Sequence, residues 1–343
     1  MKRKIMYGIL CIFLIVLAIF LYYSWFAPAQ KANLIKVGYV TGGMDYAPFY
    51  IAYTKGFFSE HNVTAETVPL SSSSEIKLAL STGQIDVGFV GSVNLFVPIS
   101  KGVPIKIIGP MASAKTYLYV RPDNKIRTFE DLIGKTIAVI SLGGSNEYEV
   151  RRILKKENID ASKINFVSME KAYRPIALME KKVIDAAPID QSEVAKYLEL
   201  GAVPLEEWGT KGYDSQDKPE SVMAINEEFK HSNPLLVEQF IDALIEGHKF
   251  IKSNPEEAAE IVSSYIKTES EGTIVYSPED ISTMWKNNKL KYNLWYDPAI
   301  FVDMSKIAVE LGQLNTSLTL DQIFDLSFEE KLKNAQNEIY PTN

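Results

Sequence analysis

The sequence almost lacks the residues that build disulfides, thiolate nucleophiles and compact metal sites. Its 343 residues hold one cysteine, Cys11, and three histidines, His61, His231 and His248. Cys11 lies in an apolar leader, so the rest of the chain has no disulfide, no thiolate nucleophile and no cysteine-containing metal cluster. The histidines are far apart, without metal-ligand spacing, and no H-E-x-x-H, G-x-S-x-G or phosphate-loop pattern occurs. No cofactor and no metal are expected, and the enzyme classes that use those motifs are disfavoured. An excess of basic residues is also missing: 43 acids against 36 bases give a net charge of −7. A nucleic-acid binder wants a basic face to displace counterions from phosphates, so no nucleic-acid partner is expected. What is present is an ordinary globular composition, 46% hydrophobic and 23% charged, which excludes disorder. The length leaves room for two lobes of ordinary domain size behind the leader.

Charge is absent altogether from residues 5–26, an uninterrupted run of uncharged, mostly apolar side chains. As a helix it would extend about 33 Å, against a hydrocarbon core of about 30 Å. Lys2, Arg3 and Lys4 precede it, which puts the N-terminus in the cytoplasm and the body outside. The run is long for a cleaved signal, so an anchor by residues 5–26 in the cell membrane is expected. Ala27-Pro28-Ala29 offers a small-x-small cleavage site as the alternative. Both readings export the body.

From residue 34 short β-type runs alternate with longer helical patterns. Strands are predicted at 35–40, 63–70 and 85–90, with helices between them. A second block repeats this with strands at 117–121, 136–140, 164–167 and 183–187 and a helix over 147–156. Strand–helix–strand units with short connections predict parallel sheets covered on both faces. After a loop at 209–219 and a strand at 221–226 the pattern is helical, with Pro234, Pro255, Pro278 and Pro298 as first-turn initiators.

Several segments in order resemble the substrate-binding proteins of ABC importers for nitrate, sulfonates, taurine and the thiamine pyrimidine precursor. Ile35-Lys36-Val37-Gly38-Tyr39, Ala47-Pro48-Phe49-Tyr50-Ile51-Ala52 and Lys55-Gly56-Phe57-Phe58 begin the match. Ala79-Leu80-Ser81-Thr82-Gly83-Gln84-Ile85-Asp86-Val87-Gly88 continues it, and Ala177-Leu178-Met179-Glu180-Lys181-Lys182-Val183-Ile184-Asp185-Ala186 resembles its repeat, with Lys182 where a turn glycine is common. Phe129-Glu130-Asp131-Leu132-Ile133-Gly134-Lys135 is similar to a second-lobe signature of that family. The resemblance spans about residues 34–265. It implies a two-lobed type II periplasmic-binding α/β architecture with a two-strand hinge. Lobe one would be residues 34–115 plus 221–335, lobe two residues 116–220, and residues 1–29 the leader. It also implies a small-molecule solute, an ABC permease and, through it, the transport ATPase as partners. A ligand-sensing lobe for a membrane partner is the other class of binding protein. A related branch of the fold makes the thiamine pyrimidine with a cysteine cluster and histidines; this body has no cysteine, so no enzyme activity is expected.

In a doubly wound sheet, ligands sit beyond the carboxyl ends of the strands, where helix N-termini present unpaired N–H groups. Four such turns are rich in small polar residues and supply the candidates Gly43, Asp45 and Tyr46; Ser72; Ser92; and Gly144, Ser145 and Asn146. Ser92 and Ser145 are the foremost of these. The ordinary alternative at each turn is helix capping, since Ser, Asn and Gly are common caps. Arg174, at a helix start, has a fork suited to a sulfonate or carboxylate, or else is a solvated surface arginine. Asp190, after the last lobe-two strand, suits an amine or ring nitrogen. Tyr148 and Trp208 read as an aromatic wall or as core, and for Trp208 core is preferred.

Overall fold

A computed structural model describes residues 33–114, 116–169, 174–190, 194–211, 221–286 and 290–341. The anchor expected over residues 5–26 lies outside them; among the described residues no helix is long and apolar enough to cross a membrane. The strands are β1 (Leu34–Val40), β2 (Thr64–Leu70), β3 (Val87–Gly91), β4 (Ile105–Ala114), β5 (Thr116–Val120), β6 (Thr136–Val139), β7 (Asn165–Ser168), β8 (Ala186–Asp190), β9 (Val203–Pro204), β10 (Ser221–Asn226) and β11 (Leu290–Tyr292). They form two sheets, ordered β11-β4-β10-β3-β1-β2 and β7-β6-β8-β5-β9. The helices that matter below are α1 (Ala47–Lys55), α2 (Ser73–Ser81), α3 (Ser145–Lys156), α4 (Arg174–Met179), α5 (Pro234–Ser253), α6 (Pro255–Glu269), α7 (Ala299–Glu310) and α8 (Glu329–Ile339). Pro48 opens α1 and Gly56, in the left-handed region at φ 84°, ends it.

Both faces of each sheet are covered, and period-two alternation assigns the side chains. On the first sheet Val87, Phe89, Met223 and Ile225 enter one core with Tyr39, Phe49 and Phe240. Val90, Val222 and Ala224 enter the other with Ile76, Phe96 and Phe301. On the second sheet Leu118, Val120 and Ile137 join Trp208, while Tyr119, Ala138 and Ile189 join Leu178.

The sheets are mixed where wholly parallel units were predicted. β1 pairs β3 and β6 pairs β7 and β8 in parallel, but β10 runs antiparallel to β3 and β4, and β5 antiparallel to β8. Of these, β5 and β10 are the strands at which the chain enters a sheet after leaving the other: β5 follows β4 after one residue, and β10 follows the second-sheet strands; β9 and β11 add antiparallel edges to β5 and β4.

The helix-to-strand repeat has a structural explanation. Asp86 Oδ2 accepts from Lys36 N–H at 2.8 Å and Asp185 Oδ2 from Thr136 N–H at 3.0 Å. Each aspartate also donates its own N–H to that residue's carbonyl, at 2.9 and 2.8 Å. In both halves the acid therefore fastens the start of one strand to its neighbour. The turn before it needs positive φ: Gly83 has 67° and Lys182, the residue out of pattern, 51°. That turn, with Val183 exposed, delays the strand predicted at 183–187 to Ala186–Asp190.

Candidate functional site

Strand directions bring one edge of each sheet to the crossing between them. In the first sheet the ends of β1, β3 and β4 and the beginning of β10 share an edge, at Val40, Gly91, Ala114 and Ser221. In the second, the ends of β6, β7 and β8 and the beginning of β5 share one, at Val139, Ser168, Asp190 and Thr116. β4 and β5 are separated by one residue, so these two edges are neighbours. Strand carboxyl ends are where open α/β sheets hold ligands.

The turn after β3 meets the start of α3. A Cβ added to Gly91 would lie 2.7 Å from Ser145 Oγ and 2.6 Å from Asn94 Nδ2. A Cβ on Gly144 would lie 3.3 Å from Asn94 Oδ1 and 2.4 Å from Ser141 Oγ. Glycine at 91 therefore permits this approach of first-sheet backbone to α3, and the Asn94 amide lies between the two glycines. Ser92, Asn94 and Asn146 are buried. Ser145 Oγ is buried too and has no hydrogen-bond partner among the described residues. Gly144 caps α3 with no side-chain bond. Glu147 Oε2 accepts from Gly143 N–H at 2.7 Å and its Oε1 from Arg151 Nε at 2.6 Å, so the nearest carboxylate is already paired. Further along α3, Tyr148 is buried in the first-sheet core, its hydroxyl donating to the Met304 carbonyl of α7 at 3.3 Å. Tyr148 is therefore packing between the halves, and burial holds its hydroxyl protonated well above the usual tyrosine range.

The first turn, with Gly43, Asp45 and Tyr46, is held by buried tyrosines. Tyr50 OH donates to the Gly43 carbonyl and Tyr292 OH to the Met44 carbonyl, each at 3.0 Å. Tyr46 is buried and stacks on Phe89 with ring centroids 5.5 Å apart, two residues before Gly91 on β3. Asp45 is half-buried, its charge acting on Tyr292. Behind the turn, Tyr39 OH donates to the Glu269 carboxylate at the end of α6 and lies 2.8 Å from Tyr265 OH. Burial pushes the Glu269 carboxyl above the usual range. This tyrosine frame was not visible in the sequence, because Tyr39, Tyr265 and Tyr292 come from distant segments.

The remaining candidates divide. Ser72 caps α2, its Oγ accepting from Glu75 N–H at 3.3 Å, while Ser71 donates both N–H and hydroxyl to the Glu75 carboxylate, holding that carboxyl below the usual range. The ordinary capping alternative thus accounts for Ser72. Arg174 is not a solvated surface arginine: it is 1% exposed, and Nη1 donates to the Pro188 carbonyl of β8 at 3.1 Å. Asp190 ends β8 opposite Thr116 in its backbone, and its side chain lies outside the described residues. Trp208 is core, donating Nε1–H to the Thr116 carbonyl at 2.9 Å. The sequence reading missed Asn94, whose signal is its place three residues after Gly91, and Ser221, read only as the start of a strand. Among the described residues no group of three or more His, Cys, Asp or Glu is placed to hold a metal ion. A groove between α5 and α8 lies away from the strand ends; there Lys331 bridges Glu238 and Asp242, each at 2.8 Å.

The chain is similar to the putative binding protein YtlA of Bacillus subtilis, 22% identical over 97% of this chain and 99% of that one. It is 25% identical to the taurine-binding periplasmic protein of Escherichia coli over 66% of this chain and 69% of that one. A 4-amino-5-hydroxymethyl-2-methylpyrimidine phosphate synthase of Aspergillus parasiticus is 20% identical over 63% of this chain and 65% of that one. Among solved structures, the periplasmic aliphatic sulphonate binding protein SsuA of Escherichia coli superposes with a TM-score of 0.67 at 14% identity, covering 85% of this chain and 92% of that one. The periplasmic nitrate-binding protein NrtA of Synechocystis PCC 6803 gives 0.68 at 14%, covering 89% of each. The family model described as NMT1/THI5 like matches residues 44–258. The chain belongs to the NMT1/THI5-like family and has the two-lobed α/β fold of periplasmic binding proteins.

Proposed function

We propose that this protein is the extracytoplasmic solute-binding component of an ABC importer. It holds a small polar solute of the nitrate, sulfonate or taurine kind between lobe one, residues 34–115 with 221–335, and lobe two, residues 116–220. It then delivers the solute to a membrane permease and its ATPase, with residues 5–26 tethering it to the membrane. The observation that carries the reading is the approach of Gly91 to Ser145, where a hydroxyl without a partner and an uncapped helix start meet the first sheet. Helix N–H groups and hydroxyls stabilise an oxyanion as it leaves water, and hinge closure around it is the motion expected of two lobes joined by few strands. The relatives named for taurine, sulphonate and nitrate binding support that solute class.

The synthase among the relatives gives the second reading, a binder of the pyrimidine precursor or another N-heterocycle, with Tyr46 of the first turn, packed on Phe89, as the aromatic of the site. The body's lack of cysteine supports binding rather than synthesis. Native mass spectrometry of the protein purified from its own host, followed by melting-temperature shifts with taurine, methanesulfonate, nitrate and the pyrimidine, tests both. A sulfonate or nitrate response supports the first reading, a response to the pyrimidine alone replaces it, and silence from all four with no co-purified solute refutes solute binding of this kind.

A further inference from the structure

We propose that Ser221, the first residue of β10, supplies a second ligand-holding hydroxyl beside Ser145. The proposal rests on the solute-binding reading above. Ser221 is 2% exposed, and its Oγ, like that of Ser145, has no hydrogen-bond partner among the described residues. A buried hydroxyl without a partner is costly, and two at one meeting of the sheets point to a group that arrives from outside the chain.

Pairing fixes where Ser221 faces. It stands directly opposite Gly91 in the antiparallel register of β10 and β3. Directly opposed residues project to the same face of a sheet. The Cβ direction of Gly91 runs toward Ser145 Oγ and Asn94 Nδ2, so Ser221 projects to the face over which those groups lie. Alternation gives that face Phe89 and Met223 as the next residues inward, and Tyr46 stacks on Phe89. Two hydroxyls, the Asn94 amide and the uncapped first turn of α3 thus border one edge, with an apolar floor of Tyr46 and Phe89 beneath. The set is rich in donors and suits an acceptor-rich head, such as a sulfonate, carrying a short tail. Ser221 also makes the grip depend on both crossings of the chain, because it opens the strand that returns to the first sheet.

The test is calorimetric titration of the full chain with taurine, methanesulfonate and nitrate. For the probe that wild type binds most tightly, Ser221→Ala should raise Kd by about tenfold, the loss of one hydrogen bond to a charged group. Its melting temperature without probe should hold or rise, since a buried hydroxyl without a partner is removed. Ser221→Cys, of similar volume with a weaker donor, should lose less affinity and guards against a folding defect in the alanine variant. Unchanged affinity in both variants while Ser145→Ala weakens binding would overturn the role of Ser221 and leave the solute-binding reading standing. A wild-type chain that binds none of the three probes and carries no co-purified solute overturns both.

Discussion

The turns at residues 71–75 and 143–147 each lead from a strand into a helix, and in each a glutamate takes the N–H of the residue four before it. Ser71 N–H reaches Glu75 at 2.9 Å and Gly143 N–H reaches Glu147 at 2.7 Å. One position differs in its consequence. The N-cap of α2 is Ser72, whose hydroxyl accepts from Glu75 N–H; the N-cap of α3 is Gly144, which has no side chain to do so. At the next turn residue Ser145 keeps its hydroxyl without a partner, against the backbone of Gly91 in the other sheet. A serine-rich helix start is thus a local cap in one half of the molecule and a candidate ligand grip in the other. Composition does not separate the two; what the N-cap residue is, and what the other lobe places opposite it, does.

The largest effect should come from filling the approach itself. Gly91→Leu places a branched side chain where Ser145 Oγ and Asn94 Nδ2 now lie, and solute affinity should fall by at least a hundredfold, about 2.7 kcal/mol, by titration. The two serines should then dissociate from each other. Ser145→Ala should weaken binding about tenfold with no loss of melting temperature, whereas Ser72→Ala should leave affinity unchanged and cost about 1 kcal/mol of stability in urea unfolding, as a lost cap does. A comparison of the same kind sets Gly83 against Lys182, the positive-φ residues of the repeated turn. Lys182→Gly should stabilise the protein and Gly83→Lys destabilise it, each by up to about 1 kcal/mol from relief or creation of left-handed strain. The smallest effect is in pH. The Glu75 carboxyl is held below its ordinary value of 4.5 chiefly by the Ser71 hydroxyl, so its folded pKa lies under the unfolded one. Its stabilisation is present above pH 4.5 and lost as pH falls through the lower folded value. The stability gap between wild type and Ser71→Ala should therefore close in acid, read from unfolding curves at successive pH.

The strands and helices set by local alternation, the proline starts and the capping of α2 were legible because each is set by neighbouring residues, whereas β4, β9 and β11 were not foreseen. Asp86 and Asp185 were legible as a repeat, although their work as strand fasteners needed the partners Lys36 and Thr136, each 49 or 50 residues away. The antiparallel sense of β5 and β10 was not legible, since alternation of side chains is the same in either direction. Nor was the burial of Arg174, because its contact with the Pro188 carbonyl depends on how α4 packs on β8. Ser221 shows the limit most clearly. As one small residue before an apolar strand it carries no signal, and its meaning comes from Gly91 across the sheet and Ser145 beyond it.

A crystal structure of the wild-type protein with the solute that co-purifies with it tests the central claim most directly. The account predicts the solute's acceptor atoms within hydrogen-bond distance, about 2.7–3.2 Å, of Ser145 Oγ and the first-turn N–H groups of α3, with Gly91 at its edge. Density for the solute elsewhere, such as the outer groove between α5 and α8, with Ser145 still against Gly91, would contradict it.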